Sequence, residues 1–124
     1  MAKIKSYTDL EQSRKLAEIL PIESADMYYD RCGLPSLIDK YVTHESIKND
    51  KYHHLIPCWS LTALLKYLSE IKPQVYTYIL FPSEGKWILH FVKYGHDNVC
   101  NVSCYNPVDA CVAMIEKLHE LKML

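Results

Sequence analysis

The fold is decided by residues 75–105, VYTYILFPSEGKWILHFVKYGHDNVCNVSCY. Three runs in this stretch, VYTYILF, KWILHFV and VCNVSCY, are rich in β-branched and aromatic residues, which favour strands. Gly85 suits the left-handed position of a three-residue hairpin loop at 83–85, and GHDN at 95–98 supplies turn residues for a second loop. The stretch therefore predicts a three-stranded antiparallel meander.

The two loops imply a register, because side chains alternate between the faces of a strand. One face then carries a mostly apolar set: Val75, Thr77, Ile79, Phe81, Trp87, Leu89, Phe91, Cys100, Val102 and Cys104. The other face mixes aliphatic residues with rings and hydrogen-bonding groups: Tyr76, Tyr78, Leu80, Ile88, His90, Val92, Asn101, Ser103 and Tyr105. We expect helices to cover the first face. The second is either covered by the first helix and the long loop or is a contact surface.

Three helices are predicted along the chain, and the middle one is the most apolar. Thr8 and Glu11 have the spacing of a capping box and predict a helix over about 9–20, which Pro21 ends. The last helix begins at Asn106, an N-cap, with Pro107 in its first position.

The middle helix is predicted over about 57–71, with Pro57 in its first turn. A leucine stripe runs along it, and Trp59, Ala63 and Tyr67 form a second stripe beside the first. A helix this apolar is covered on two sides or lies in an interface.

The segment before the middle helix is harder to assign. A short strand is predicted at 24–31, with Met27 and Tyr29 on one side. Residues 32–56 follow neither a two-residue nor a 3.6-residue period, although LPSLIDKYV suggests a short helical turn. The chain thus predicts one α+β domain over residues 1–124, in the order helix, short strand, helix, three strands, helix, with the helices on one sheet face.

Composition narrows the classes of function. The 14 Lys and Arg residues nearly balance the 15 Asp and Glu residues, so the chain lacks the basic surplus typical of nucleic-acid binding. No run of 18 apolar residues and no export signal is present, so we expect no membrane association. The five cysteines have no paired spacing and indicate reduced thiols in a cytoplasmic protein.

Three stretches, YTDLEQSRKLAEILPIESADM, PCWSLTALL and NPVDACVAMIEKLHELKML, resemble a group of small uncharacterised proteins of gut anaerobic bacteria and their mobile elements. The resemblance implies a bacterial cytoplasmic protein and carries over no site residue. The element order from Pro57 onward also resembles that of double-stranded-RNA-binding domains. Those domains place a lysine cluster at the start of the last helix, where this chain has Asp109, a charge that repels phosphate. Small antitoxins with a three-stranded sheet and a helix share the same analogy of order alone.

Two kinds of reactive site can be considered between residues 32 and 58. His53, His54 and Cys58, with Cys32, are ligand types that suit zinc, but adjacent histidines in an extended segment point opposite ways. A polar loop before a helix is the simpler interpretation. Cys32, in DRCGLP, is the best candidate for a nucleophile, although no motif supports it. The remaining thiols, at Cys100, Cys104 and Cys111, are expected in the core.

The leading functional hypothesis is a small binding or accessory protein that acts by contact with a protein partner or with itself. Its surface would be the sheet face or the middle helix, through Tyr76, Tyr78, His90, Tyr105, Trp59 and Tyr67. The first alternative is a metal- or thiol-dependent enzyme built around residues 32–58, and the second is a self-associating structural protein. The three glycines form no phosphate-binding loop, and no cofactor is expected.

Overall fold

A computed structural model describes residues 5–51, 54–95 and 98–124 and confirms the α+β class. The helices in the described ranges are α1 (Leu10–Ala17), α2 (His44–Lys48), α3 (Leu61–Ser69) and α4 (Pro107–Glu120), with a 3₁₀ turn at Ile22–Ser24. The first sheet contains β1 (Met27–Tyr29), β2 (Pro35–Leu37) and β3 (Ile56–Cys58) in the order β2-β1-β3. The meander contains β4 (Tyr76–Ser83), β5 (Lys86–Lys93) and β6 (Asn98–Cys104) in sequence order. All strand pairs in both sheets are antiparallel.

The core lies between the meander and two helices. α4 packs on β5 and β6, while α3 packs on α4 and β4. Leu89 and Phe91 of β5 are fully buried there, together with residues from both helices: Leu64, Met114, Ile115 and Leu118. The prediction that helices cover one face of the meander is confirmed.

The sequence predicts the N-cap of the last helix correctly and that of the first helix incorrectly. Asn106 caps α4 by accepting a hydrogen bond from the Asp109 N–H, as predicted. The predicted capping box of α1 is wrong by one residue, because Asp9 is the N-cap and Gln12 its partner. Thr8 is instead fully buried, and its N–H donates to the carbonyl of Trp59 at 2.9 Å. The sequence offers two overlapping boxes, and tertiary contacts decide between them.

The middle helix is shorter than predicted. It begins at Leu61 with Ser60 as its cap, so Pro57 does not lie in its first turn. Pro57 lies in β3 instead, opposite Tyr28 of β1. A proline fits there because it is tolerated in a strand whose N–H is not needed for the ladder.

The first sheet fills much of the segment that showed no period. The short strand predicted with Met27 and Tyr29 is confirmed as β1, but β2, β3 and α2 were not predicted. The helical turn predicted over LPSLIDKYV is wrong, because Pro35–Leu37 pairs with β1 as an edge strand. Strands of three residues are too short to show an alternation that sequence reading can detect.

The register of β4 is shifted by one residue from the prediction. The hairpin loop has two residues, Glu84 and Gly85, both at positive φ (51° and 78°), so Ser83 belongs to β4 and pairs with Lys86. Tyr78 therefore lies opposite Phe91 on the core side. The predicted faces of β5 and β6 are confirmed, since Trp87 pairs with Cys104 and Leu89 with Val102. The second predicted loop includes residues 96 and 97, which lie outside the described residues.

Candidate functional site

Tyr76 and Tyr78 do not lie on the predicted contact surface. The shifted register turns both rings toward the helices, where they pack against the core while partly buried. The Tyr76 ring stacks on Phe91, with centroids 5.2 Å apart. The prediction for these two residues is wrong because β4 is apolar on both faces, so the turn rather than the alternation decides which residues point inward.

The opposite side of the meander, called here the outer face, is open. Its residues by register are Thr77, Ile79, Phe81, Lys86, Ile88, His90, Val92, Asn101, Ser103 and Tyr105. None of them is buried, and none of their apolar members packs against the core cluster. The helices that pack on the meander, α3 and α4, lie on its other side. The outer face is therefore available for contact.

The centre of the outer face is apolar and its margins are polar. Ile79 is 50% exposed and lies opposite His90, next to the paired residues Phe81 and Ile88. The Phe81 ring meets the His90 ring edge-on, with centroids 5.4 Å apart. At one end, the Lys86 ammonium lies 5.4 Å from the centre of the Tyr105 ring. Apolar side chains surrounded by polar groups are typical of a contact surface.

The charge of this region is one-sided. The three strands of the meander contain no Asp or Glu, whereas β5 begins with Lys86 on the outer face and ends with Lys93, opposite Tyr76 on the other side. The near-neutral charge of the whole chain hides this local excess of positive charge. A partner with carboxylates around an apolar stripe would complement it.

The other predicted contact residues are divided between the surface and the interior. Tyr105 is 79% exposed and His90 partly exposed, both on the outer face as predicted. Trp59 is fully buried, and its indole N–H donates to the Ser24 hydroxyl at 2.9 Å, so its predicted role in a contact surface is wrong. Tyr67 is partly buried on α3, where burial and the nearby Glu70 raise the pKa of its hydroxyl. The Trp59 and Tyr67 stripe is thus not one surface.

The first sheet is tied to the chain before α1 by buried polar groups. The Tyr29 hydroxyl donates to the carbonyl of Thr8 at 2.7 Å, and burial raises the pKa of that hydroxyl. The Thr8 hydroxyl lies 2.8 Å from the Ser13 hydroxyl and accepts a hydrogen bond from the backbone N–H of Trp59 at 3.2 Å. No pattern in the sequence indicates this network, because its members come from distant segments. Each buried polar side-chain atom in the described ranges has a partner, so the network is an anchor rather than a reactive site.

The candidate zinc ligands considered in the sequence are not grouped among the described residues. Cys58 is fully buried, with Sγ 3.5 Å from the Thr8 hydroxyl, and burial raises the pKa of this thiol, which disfavours the thiolate that binds metal. His54 is exposed, and His53 lies outside the described residues. Across 5–51, 54–95 and 98–124, no three His, Cys, Asp or Glu side chains are grouped as a metal site requires. Cys100 and Cys111 are buried as predicted, and burial raises the pKa of Cys111 to about 12.

Cys32, the candidate nucleophile of the alternative hypothesis, lies between two residues that line a cleft, Arg31 and Gly33. It is exposed in the turn between β1 and β2, and its backbone N–H donates to Asp30 at 2.8 Å. The cleft beside it has a volume of about 420 Å³. We call it the arginine cleft, and its lining residues are Leu10, Arg14, Asp30, Arg31, Gly33, His54 and Ile56.

Comparison of the chain with protein-family models, curated proteins and solved structures finds no match. In the part of the chain that the structure describes, no helix combines the length and apolar character required to cross a bilayer. The outer face and the arginine cleft are therefore defined by the chain's own geometry.

Proposed function

We propose that the protein is a small cytoplasmic binding protein whose outer face holds an amphipathic helix of a protein partner. The observation that supports this is the uncovered apolar centre of the outer face, where Ile79 is 50% exposed. Removing such side chains from water favours binding by roughly 25 cal/mol for each Å² of apolar surface buried.

The dimensions of the outer face suit a helix. The two edge strands, β4 and β6, are about 10 Å apart, because neighbouring strands are separated by about 4.8 Å. This width is close to the diameter of a helix, about 10 Å. β4 and β5 each contain eight residues, a length of about 27 Å, which corresponds to a helix of about 18 residues.

Charge and area favour an acidic helix over a second copy of the chain. A face-to-face dimer would bring together two surfaces that each carry Lys86 and no carboxylate on their strands. The outer face also covers only roughly 400 Å², about half of the ~800 Å² that each partner contributes to a stable interface. A helix flanked by carboxylates would neutralise Lys86 and bury the apolar centre.

The cytoplasmic part of the proposal is supported by the thiols. All five cysteines are free, and four of them are buried or partly buried inside the fold. Unpaired thiols are typical of a reducing compartment.

The test compares two substitutions with matched exposure. Ile79→Glu places a carboxylate in the centre of the outer face, whereas Leu121→Glu changes a residue of equal exposure, 51%, at the end of α4. Fluorescent peptides of about 18 residues with a leucine stripe serve as probes, one flanked by glutamates and one by lysines. Anisotropy should show the acidic peptide binding to the wild type and to Leu121→Glu, with at least tenfold weaker binding to Ile79→Glu.

Several results would contradict the proposal. Equal binding of the acidic and basic peptides would exclude charge complementarity, and failure of the wild type to bind either peptide would exclude the helix. If the wild type has a solution mass of twice 14.5 kDa and Ile79→Glu has the mass of one chain, the outer face is occupied by a second copy of the chain instead. Binding of a single-stranded oligonucleotide that Ile79→Glu abolishes would assign the outer face to nucleic acid instead.

A further inference from the structure

We infer that the arginine cleft binds a small molecule that carries a phosphate group attached to an apolar part. The site is separate from the outer face, since its lining comes from α1, the first sheet and the segment before β3.

Three basic residues from distant segments converge on the arginine cleft. Arg14 projects from α1, Arg31 lies in the turn between β1 and β2, and His54 precedes β3. No local spacing connects them in the sequence, so only the fold brings them together. Two guanidinium groups in one concave site provide the paired, planar donors that recognise a phosphate dianion.

Neither guanidinium has a partner in the described part of the chain. By contrast, the ammonium groups of Lys5, Lys15 and Lys48 each lie within 4.0 Å of a carboxylate. Arg14 and Arg31 thus remain available to an anion from outside the protein.

The acidic residue in the arginine cleft is already engaged in holding the turn. One oxygen of Asp30 accepts hydrogen bonds from the N–H groups of Cys32 and Leu34, at 2.8 and 3.0 Å. Gly33 completes the turn at a φ of 77°, and apart from the two adjoining residues no atom lies within 4 Å of where a Cβ would stand. Asp30 therefore shapes the turn that presents Arg31.

The remaining lining determines what the phosphate is attached to. Leu10 and Ile56 give the arginine cleft an apolar portion, and a volume of about 420 Å³ is sufficient for a small aromatic phosphate. Free phosphate would leave that apolar portion in water. We therefore expect phenyl phosphate to bind at least tenfold more tightly than inorganic phosphate.

Cys32 provides a built-in reporter, because it is the one exposed cysteine of the five. Iodoacetate is an anion and iodoacetamide is neutral, so the ratio of their alkylation rates at Cys32 reports the local positive charge. In Arg14→Gln/Arg31→Gln this ratio should fall about threefold to fivefold, because water weakens but does not abolish the attraction between the guanidinium groups and the anionic reagent. Lys15→Gln/Lys66→Gln, which removes the same charge from exposed positions outside the arginine cleft, should leave the ratio unchanged.

Ligand protection completes the test. Phenyl phosphate should slow alkylation of Cys32 by iodoacetamide in the wild type and in Lys15→Gln/Lys66→Gln, and not in Arg14→Gln/Arg31→Gln. An unchanged reagent ratio in a folded Arg14→Gln/Arg31→Gln variant would overturn the inference, as would a lack of protection by millimolar phenyl phosphate. Equal protection by benzoate would show that the arginine cleft takes carboxylates and would overturn the phosphate assignment.

Discussion

The two three-stranded sheets differ in what holds their strands together. In the meander, two strands of eight residues and one of seven form long ladders, and fully buried Leu89 and Phe91 pack on the helices. In the first sheet, each strand has three residues and contributes few ladder bonds. Polar side chains make up the difference there, through Thr8, Tyr29 and the carboxylate of Asp26, which accepts both the N–H and the hydroxyl of Ser60.

The difference teaches where sequence signals end. Apolar packing on a long strand leaves a pattern that repeats along the chain, whereas a hydrogen bond between residues 8 and 59 leaves none. If the comparison is correct, the meander should respond most to lost volume and the first sheet to lost hydrogen-bonding groups.

The largest effect is expected from Phe91→Ala in the meander. Removing a fully buried ring leaves a cavity, and we expect the free energy of unfolding to fall by about 3 to 5 kcal/mol. Urea unfolding followed by far-ultraviolet circular dichroism measures this change. Ile79→Ala is the control on the half-exposed outer face and should cost only about 1 kcal/mol or less. Equal losses in the two variants would show that the core does not lie on the Phe91 side.

An intermediate effect is expected from Thr8→Val, which keeps the shape of the side chain and removes its hydroxyl. The backbone N–H of Trp59 and the Ser13 hydroxyl would each lose a buried hydrogen-bond partner. The free energy of unfolding should therefore fall by about 1 to 3 kcal/mol. Thr62→Val, at an exposed position on α3, should change it by no more than about 0.5 kcal/mol. If both variants unfold at the same urea concentration, the polar network does not stabilise the first sheet.

The smallest effect is expected at the turn that sets the register of β4. Glu84 has a φ of 51°, a region that asparagine occupies more readily than glutamate. Glu84→Asn should therefore raise the free energy of unfolding by about 0.5 kcal/mol, whereas Gly85→Ala should lower it by about 1 kcal/mol. Opposite signs at these two neighbours would support the two-residue loop. A loss of stability in Glu84→Asn would favour another turn.

The meander was predictable except at β4. The outward residues Asn101 and Ser103 are polar and the inward Leu89 and Phe91 apolar, so alternation identifies the faces of β5 and β6. β4 carries large apolar residues on both faces, so a register shifted by one residue still places apolar side chains toward the core and cannot be recognised from the sequence. The positive φ of Glu84 decides the matter, and a residue other than glycine gives little warning of it.

The two proposed sites show the same limit. The sequence identified His90, Ile88 and Tyr105 on the outer face and missed Ile79 and Phe81, because of the shift at β4. The arginine cleft gave no signal beyond Cys32 and His54, since its two arginines are brought together only by folding. Pairs of basic residues at distant positions have no recognisable spacing.

Pro82 has a consequence for how copies of the protein behave at high concentration. β4 is an edge strand, and the Ser83–Lys86 pair that closes its two-residue loop is joined by ladder hydrogen bonds, which turns the backbone of Pro82 away from β5. A proline has no N–H to offer an incoming strand, so a chain aligning along β4 would find its ladder interrupted near the loop. Pro82 thus opposes edge-to-edge pairing of sheets along β4 and disfavours fibril formation from that edge.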